Sequence, residues 1–124
     1  MARVMIVDDS SFMRKKIAQV VRAGGHEVVG QAKDGLEGYN LYRNLSPEVV
    51  IMDITMRGMD GISSARMIRG YDPGARIIFM SLITDPLVLE QAEELEAEGI
   101  LGKNEYDRLM TLIDRKSEAR NESA

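Results

Sequence analysis

Short unbroken apolar runs alternate along this chain with longer amphipathic segments, and that alternation leaves few folds open. Val4–Val7, Val49–Met52 and the Ile77–Met80 centre of Arg76–Ser81 are apolar at every position, as strands buried on both faces are. Glu27–Ala32 reads as a less buried strand and Ile100–Gly102 as a short fifth. Between them lie helical patterns. Ser10 or Ser11 caps the first, with Phe12, Met13, Ile17, Val20 and Val21 on one stripe, and Gly24-Gly25 ends it. The second covers Gly35 to Asn44, with Leu36, Tyr39 and Leu41. The third carries Ile62, Ala65, Met67 and Ile68 and stops at Asp72-Pro73-Gly74. The fourth starts at Thr84-Asp85-Pro86 and runs to about Glu98, and the last is capped by Asn104 and carries Tyr106, Leu109, Met110 and Ile113. The pattern βαβαβαβαβα implies an α/β fold, a doubly wound parallel sheet with five helices on its two faces. The apolar signal spans one domain over residues 1–117, and residues 118–124 lack an apolar anchor and read as a flexible tail.

The chain has 124 residues, 44% hydrophobic and 29% charged, enough for a buried core without metals or disulfides. It has no Cys, which excludes thiol nucleophiles and thiolate zinc sites, and His26 is its one histidine, which excludes multi-His metal centres. His26, just before a strand, reads as a surface residue. A net charge of −4 argues against nucleic acid as the main partner. No apolar run reaches the roughly 18–20 residues of a membrane span, and no signal peptide is evident, so the expected location is the cytoplasm.

Open parallel sheets bind ligands beyond the carboxyl ends of their strands. Here the first strand ends in Asp8-Asp9, the third in Asp53 and the fourth in Ser81, and Lys103 follows the fifth. Crowded carboxylates repel and demand a cation, and all-oxygen ligation by few protein groups suits Mg²⁺. Asp also forms acyl phosphates, and Lys103 and Ser81 are placed to hold phosphoryl oxygens.

These residues carry a resemblance to the receiver domain of two-component response regulators, in its stand-alone, chemotaxis-regulator form. The matching pieces are Val4–Ser10, Val49–Ile54, Met59-Asp60-Gly61, Ser81 and Lys103, with spacings of 44, 28 and 22 residues from Asp9 to Asp53, Ser81 and Lys103 in turn. The resemblance implies a strand order of 2-1-3-4-5. It also implies the roles. Asp53 accepts a phosphoryl group from a phosphohistidine on a sensor histidine kinase or phosphotransfer protein. Asp8, Asp9, Asp53 and the Thr55 backbone carbonyl hold Mg²⁺. Lys103 pairs with Asp53 and then with the phosphoryl group, and Ser81 moves to bond it. The output is protein–protein contact through the fourth helix, fifth strand and fifth helix, with no nucleic acid or membrane partner and no catalysis beyond the switch's own phosphoryl transfer and slow dephosphorylation.

Three positions depart from the family pattern. Arg57 stands four residues after Asp53 where Pro is usual, Asn104 follows Lys103 where Pro is usual, and Ile100 replaces an aromatic residue. With asparagine rather than proline after Lys103, the Lys103–Asn104 peptide is expected to be trans. These departures keep open an unphosphorylated binding module as an alternative. A small Mg²⁺-dependent aspartyl phosphohydrolase is another, although Ser10 stands where such enzymes carry a second Asp. Six acids and no Lys or Arg lie between Ile77 and Gly102. They read as a solvated helix face or as a partner-facing surface, with Leu89, off the main apolar stripe, as its anchor.

Overall fold

The computed structural model describes the backbone from Met1 to Ser123 and side chains through Asp114. The elements are β1 (Arg3–Val7), α1 (Ser11–Ala23), β2 (Glu27–Ala32), α2 (Gly35–Leu45), β3 (Val49–Met52), α3 (Gly61–Tyr71), β4 (Ile77–Met80), α4 (Pro86–Glu94), β5 (Gly99–Leu101) and α5 (Tyr106–Ser123). All strand pairs are parallel, in the order β2-β1-β3-β4-β5. The expected tail over 118–124 lies outside the residues whose side chains are described.

β3 and β4 are buried at every residue and β1 at all but its first, whereas β2, on the sheet edge, is mostly half-buried. This is why the central strands are unbroken apolar runs. Alternate strand residues feed two cores. Met5, Val7, Val50, Met52, Ile77 and Phe79 face α2, α3 and α4, while Val4, Ile6, Val49, Ile51, Ile78 and Met80 face α1 and α5. Each such side chain contributes about 1.5–3 kcal/mol by leaving water.

The helix starts follow short polar caps. Ser10, Asp34, Asp60 and Asp85 accept bonds from the N–H groups of Met13, Glu37, Ser63 and Leu87. Pro86 occupies the first turn of α4, as its spacing predicts. Three stripes differ from expectation, and in α3 it is Met67 that is exposed, at 36%. Phe12 is 70% and Leu36 49% exposed, because each lies in the first turn of its helix, beyond the sheet edge. Ala18 takes a core place in α1 instead.

The fourth helix is shorter than its sequence predicts. It ends at Glu94, and Glu96 takes a left-handed φ of 59°. Arg69 of α3 enforces this end, donating to the carbonyls of Leu95 and Glu96 while also bonding those of Pro73 and Ala75. Ala92 is the only fully buried residue of α4, and its last turn holds Glu93 and Glu94 with no basic residue of its own. Acids there oppose the helix dipole, at a cost of about 0.3–1 kcal/mol each.

Asn104 does not cap α5. Glu105, just before the helix, accepts from the Gly102 N–H through its carboxylate at 2.6 Å, and that bond holds the carboxyl below its usual range, with Arg108 adding to the effect. The Lys103–Asn104 peptide is trans. His26 is buried, contrary to expectation. Its Nδ1 accepts from the Ala2 N–H at 2.9 Å and its Nε2 lies 2.6 Å from Asp114 Oδ1. An acceptor Nδ1 leaves the proton on Nε2, which donates to Asp114.

Candidate functional site

The carboxyl edge of the sheet gathers the polar residues that end the strands. Asp8 and Asp53 each prolong the ladder by one backbone bond, from Asp8 N to Ala32 O at 3.1 Å and from Asp53 N to Val7 O at 2.8 Å. Ser81 does the same with Leu101 O at 2.9 Å. The sheet therefore fixes the backbones that carry these side chains. Asp8, Asp53 and Ser81 are buried, and Asp9 and Thr55 are exposed.

Oxygens of Asp8, Asp9 and Asp53 lie within 4.8 Å of one another. They line a cavity of about 530 Å³ together with Thr55, Ser81, Ile83 and Lys103, so the structure brings all six expected residues to one place. The Lys103 ammonium pairs with Asp8 and lies 3.4 Å from Asp53 Oδ2. Burial pushes the Asp53 carboxyl up to about 6; Lys103 pulls it down, and the charges of Asp8 and Asp9 push it further up. Three carboxylates against one ammonium leave an excess of negative charge. A hard divalent cation with oxygen ligands fits that donor set.

Each acid is also held by its neighbours. Ser10 N–H donates to Asp8 Oδ1 at 2.9 Å, and the Arg14 guanidinium donates to the Asp8 carbonyl at 2.7 Å. The Arg57 N–H donates to Asp9 Oδ2 at 3.3 Å, a bond that proline at this position lacks the hydrogen to make. Ser81 Oγ accepts from the Ile83 N–H at 3.1 Å, which leaves its hydroxyl hydrogen available to another acceptor. Gly61 packs against the Asp53 carbonyl so closely that a Cβ there would lie 1.9 Å from it. Sequence reasoning missed Arg14. Its signal is its position one turn beyond the Ser10 cap, which turns its side chain back toward the strand end.

A doubly wound five-stranded parallel sheet with an aspartate cluster and a lysine at its carboxyl edge is an α/β module able to hold a hard cation beside a buried carboxylate. A family model described as the response regulator receiver domain matches residues 4–114. Chemotaxis protein CheY of Thermotoga maritima is 38% identical over 101 residues, 82% of this chain and 84% of its own length. CheY of Bacillus subtilis is 36% identical over 114 residues, 91% of this chain and 95% of its own length. A LuxR-family two-component response regulator from Aurantimonas sp. SI85-9A1 superposes with a TM-score of 0.85 at 34% identity, covering 93% of this chain and 84% of that one. CheY in a CheX–CheY–BeF3–Mg complex from Borrelia burgdorferi superposes with a TM-score of 0.83 at 29% identity, covering 90% and 85%.

The chain belongs to the response regulator receiver domain family and is a CheY-like receiver. Receivers of this kind are switches of two-component signalling, not metabolic enzymes, and they bind Mg²⁺ in an acidic pocket. No helix among the described residues is long and apolar enough to cross a membrane.

Proposed function

We propose that this receiver takes a phosphoryl group on Asp53 from a sensor histidine kinase or phosphotransfer protein in the cytoplasm and passes the signal on, in chemotaxis or a related process, through contacts of α4, β5 and α5. One observation carries the reading: Asp53 shares a cavity with Asp8 and Asp9, their oxygens within 4.8 Å, and has Lys103 at 3.4 Å. An Asp53 oxygen attacks phosphorus, the P–N bond of the phosphohistidine breaks, and the imidazole leaves with the electron pair. Asp8, Asp9, Asp53 and the Thr55 carbonyl are the ligands proposed for Mg²⁺, which when bound neutralises charge on the transferring oxygens. Lys103 draws the acceptor carboxylate into place and then faces a phosphoryl oxygen. Ser81 donates its free hydroxyl hydrogen to another, and the loop through Ile83 follows because Ile83 N–H is bonded to the same oxygen.

The test is incubation with acetyl phosphate and Mg²⁺, followed by intact mass. One phosphate on the wild type and none on Asp53→Asn is expected. Unchanged labelling of the variant would move the acceptor elsewhere, and no labelling of the wild type would favour an unphosphorylated binding module.

A further inference from the structure

Of the three acids in the cavity, Asp9 is the least firmly held. Asp8 is buried, accepts from the Ser10 N–H at 2.9 Å and pairs with Lys103, and Asp53 is buried with the same ammonium 3.4 Å away. Asp9 is exposed and forms no ion pair among the described residues. The one hydrogen bond that its side chain accepts among them comes from the Arg57 N–H, to Oδ2 at 3.3 Å. Without that bond, repulsion from Asp8 and Asp53 turns the Asp9 carboxylate outward into water.

What position 57 gives the site is its main chain. The Arg57 side chain is exposed and forms no hydrogen bond or ion pair among the described residues. The loop that carries it is fastened on both sides of Arg57. The Gly61 N–H donates to the Ile54 carbonyl at 2.8 Å, and the Gly35 N–H, at the start of α2, donates to the Met59 carbonyl at 2.9 Å. Between them Gly58 takes a left-handed φ of 76°, which glycine adopts freely. The Arg57 N–H is therefore presented to Asp9 from an anchored loop. An N–H bonded to one carboxylate oxygen leaves the other open to a cation, and a ligand already turned toward the site loses less freedom on binding.

We propose that the Arg57 N–H is a positioning group for the metal site, holding Asp9 toward Asp8 and Asp53 so that the three carboxylates receive Mg²⁺ together. The role rests on the Mg²⁺ ligand set proposed above. It belongs to the backbone, so any residue but proline can fill it.

The experiment compares, in the full chain, Arg57→Ala, which keeps the N–H, with Arg57→Pro, which removes it. Both variants lose the same charge, so the comparison isolates the hydrogen bond. Proline is the usual residue of the family at this place, so the loop is expected to accept it, and thermal melts check the fold. In calorimetric titration with MgCl₂, Arg57→Ala is expected to bind at least as tightly as the wild type, because a cation near the acids is gone. Arg57→Pro is expected to bind roughly tenfold more weakly than Arg57→Ala, the low end for a hydrogen bond to a metal ligand, as suits a long and exposed one. NMR gives a readout that needs neither metal nor proline: Asp9→Ala should move the Arg57 amide proton upfield in the metal-free protein. In Arg57→Pro the Gly35 and Gly61 amides should stay in place, since their bonds hold the loop. Equal Mg²⁺ affinity of the two Arg57 variants, tighter binding by Arg57→Pro, an Arg57 amide indifferent to Asp9→Ala, or displaced Gly35 and Gly61 amides would each overturn the proposal. Acetyl phosphate separates the two readings. If Asp53 is labelled and the two variants bind Mg²⁺ alike, the positioning role fails alone. If Arg57→Pro loses affinity against Arg57→Ala but wild-type Asp53 is not labelled, the phosphoacceptor reading fails alone.

Discussion

The Ile83 N–H donates to Ser81 Oγ at 3.1 Å, so an apolar residue that walls the acidic cavity is tied to the hydroxyl expected to answer phosphorylation. Hydrolysis of an aspartyl phosphate needs a water in line behind phosphorus, and Ile83 offers that water no hydrogen bond. Ile83→Glu should therefore shorten the phosphoryl lifetime on Asp53, by roughly tenfold for a positioned polar group. Phosphate loss followed over time with Mg²⁺ saturating is the measurement. Equal rates would show that Ile83 turns its packed side, not its cavity side, to the approach.

Lys103 and a divalent cation compete for the same carboxylates. Lys103→Met should tighten Mg²⁺ binding, because a positive charge beside Asp8 and Asp53 is removed, and should slow phosphorylation by acetyl phosphate. Asp8→Asn/Asp9→Asn should abolish Mg²⁺ binding with the fold retained. Calorimetric titration gives both signs; weaker Mg²⁺ binding by the Lys103 variant would mean that the lysine organises the acids rather than competing for them.

The buried Asp53 makes the Mg²⁺-free protein sensitive to pH. Its carboxyl titrates at about 6 when folded and near 3.8 when exposed, so the folded state holds the proton more tightly. This group's stabilising contribution is complete below about pH 4 and is lost as pH rises through 6. Asp53→Asn should remove that slope and be more stable than wild type at pH 7, by on the order of 1–2 kcal/mol once solvent screening is allowed for. Urea midpoints at about pH 4.5 and 7 test it; a gap between the two proteins that does not widen with pH would refute it.

Two glycines of α3 should respond in opposite directions. Gly61→Ala forces a Cβ onto the Asp53 carbonyl and should cost about 2–3 kcal/mol while displacing the acceptor. Gly70→Ala, in the same helix with nothing within 4 Å, should add roughly 0.5–1 kcal/mol. Thermal melts give both, and acetyl phosphate labelling of the Gly61 variant reports the displacement.

The sheet was legible because β1, β3 and β4 are buried on both faces and must be apolar throughout. The strand-end cluster was legible because a parallel sheet brings strand ends together whatever lies between them. What escaped depends on contacts across the fold. Local periodicity runs α4 on to Glu98, yet Arg69 of α3 ends it at Glu94. His26 looks like a surface residue until Ala2 and Asp114 close around it. The buried Arg76, just before β4 and paired through Nε and Nη2 with Glu98, likewise has no signature in the sequence around it.

The three hydrogen bonds that Arg69 gives the carbonyls of Leu95 and Glu96 also set how α4 is mounted. Its carboxyl end is pinned to α3, while its amino end hangs from the Asp85 cap and the loop that starts at Ser81. A helix mounted in this way is a lever with its fulcrum near Leu95. A pull at Ser81 would displace the Leu87 end most and the Leu95 end least.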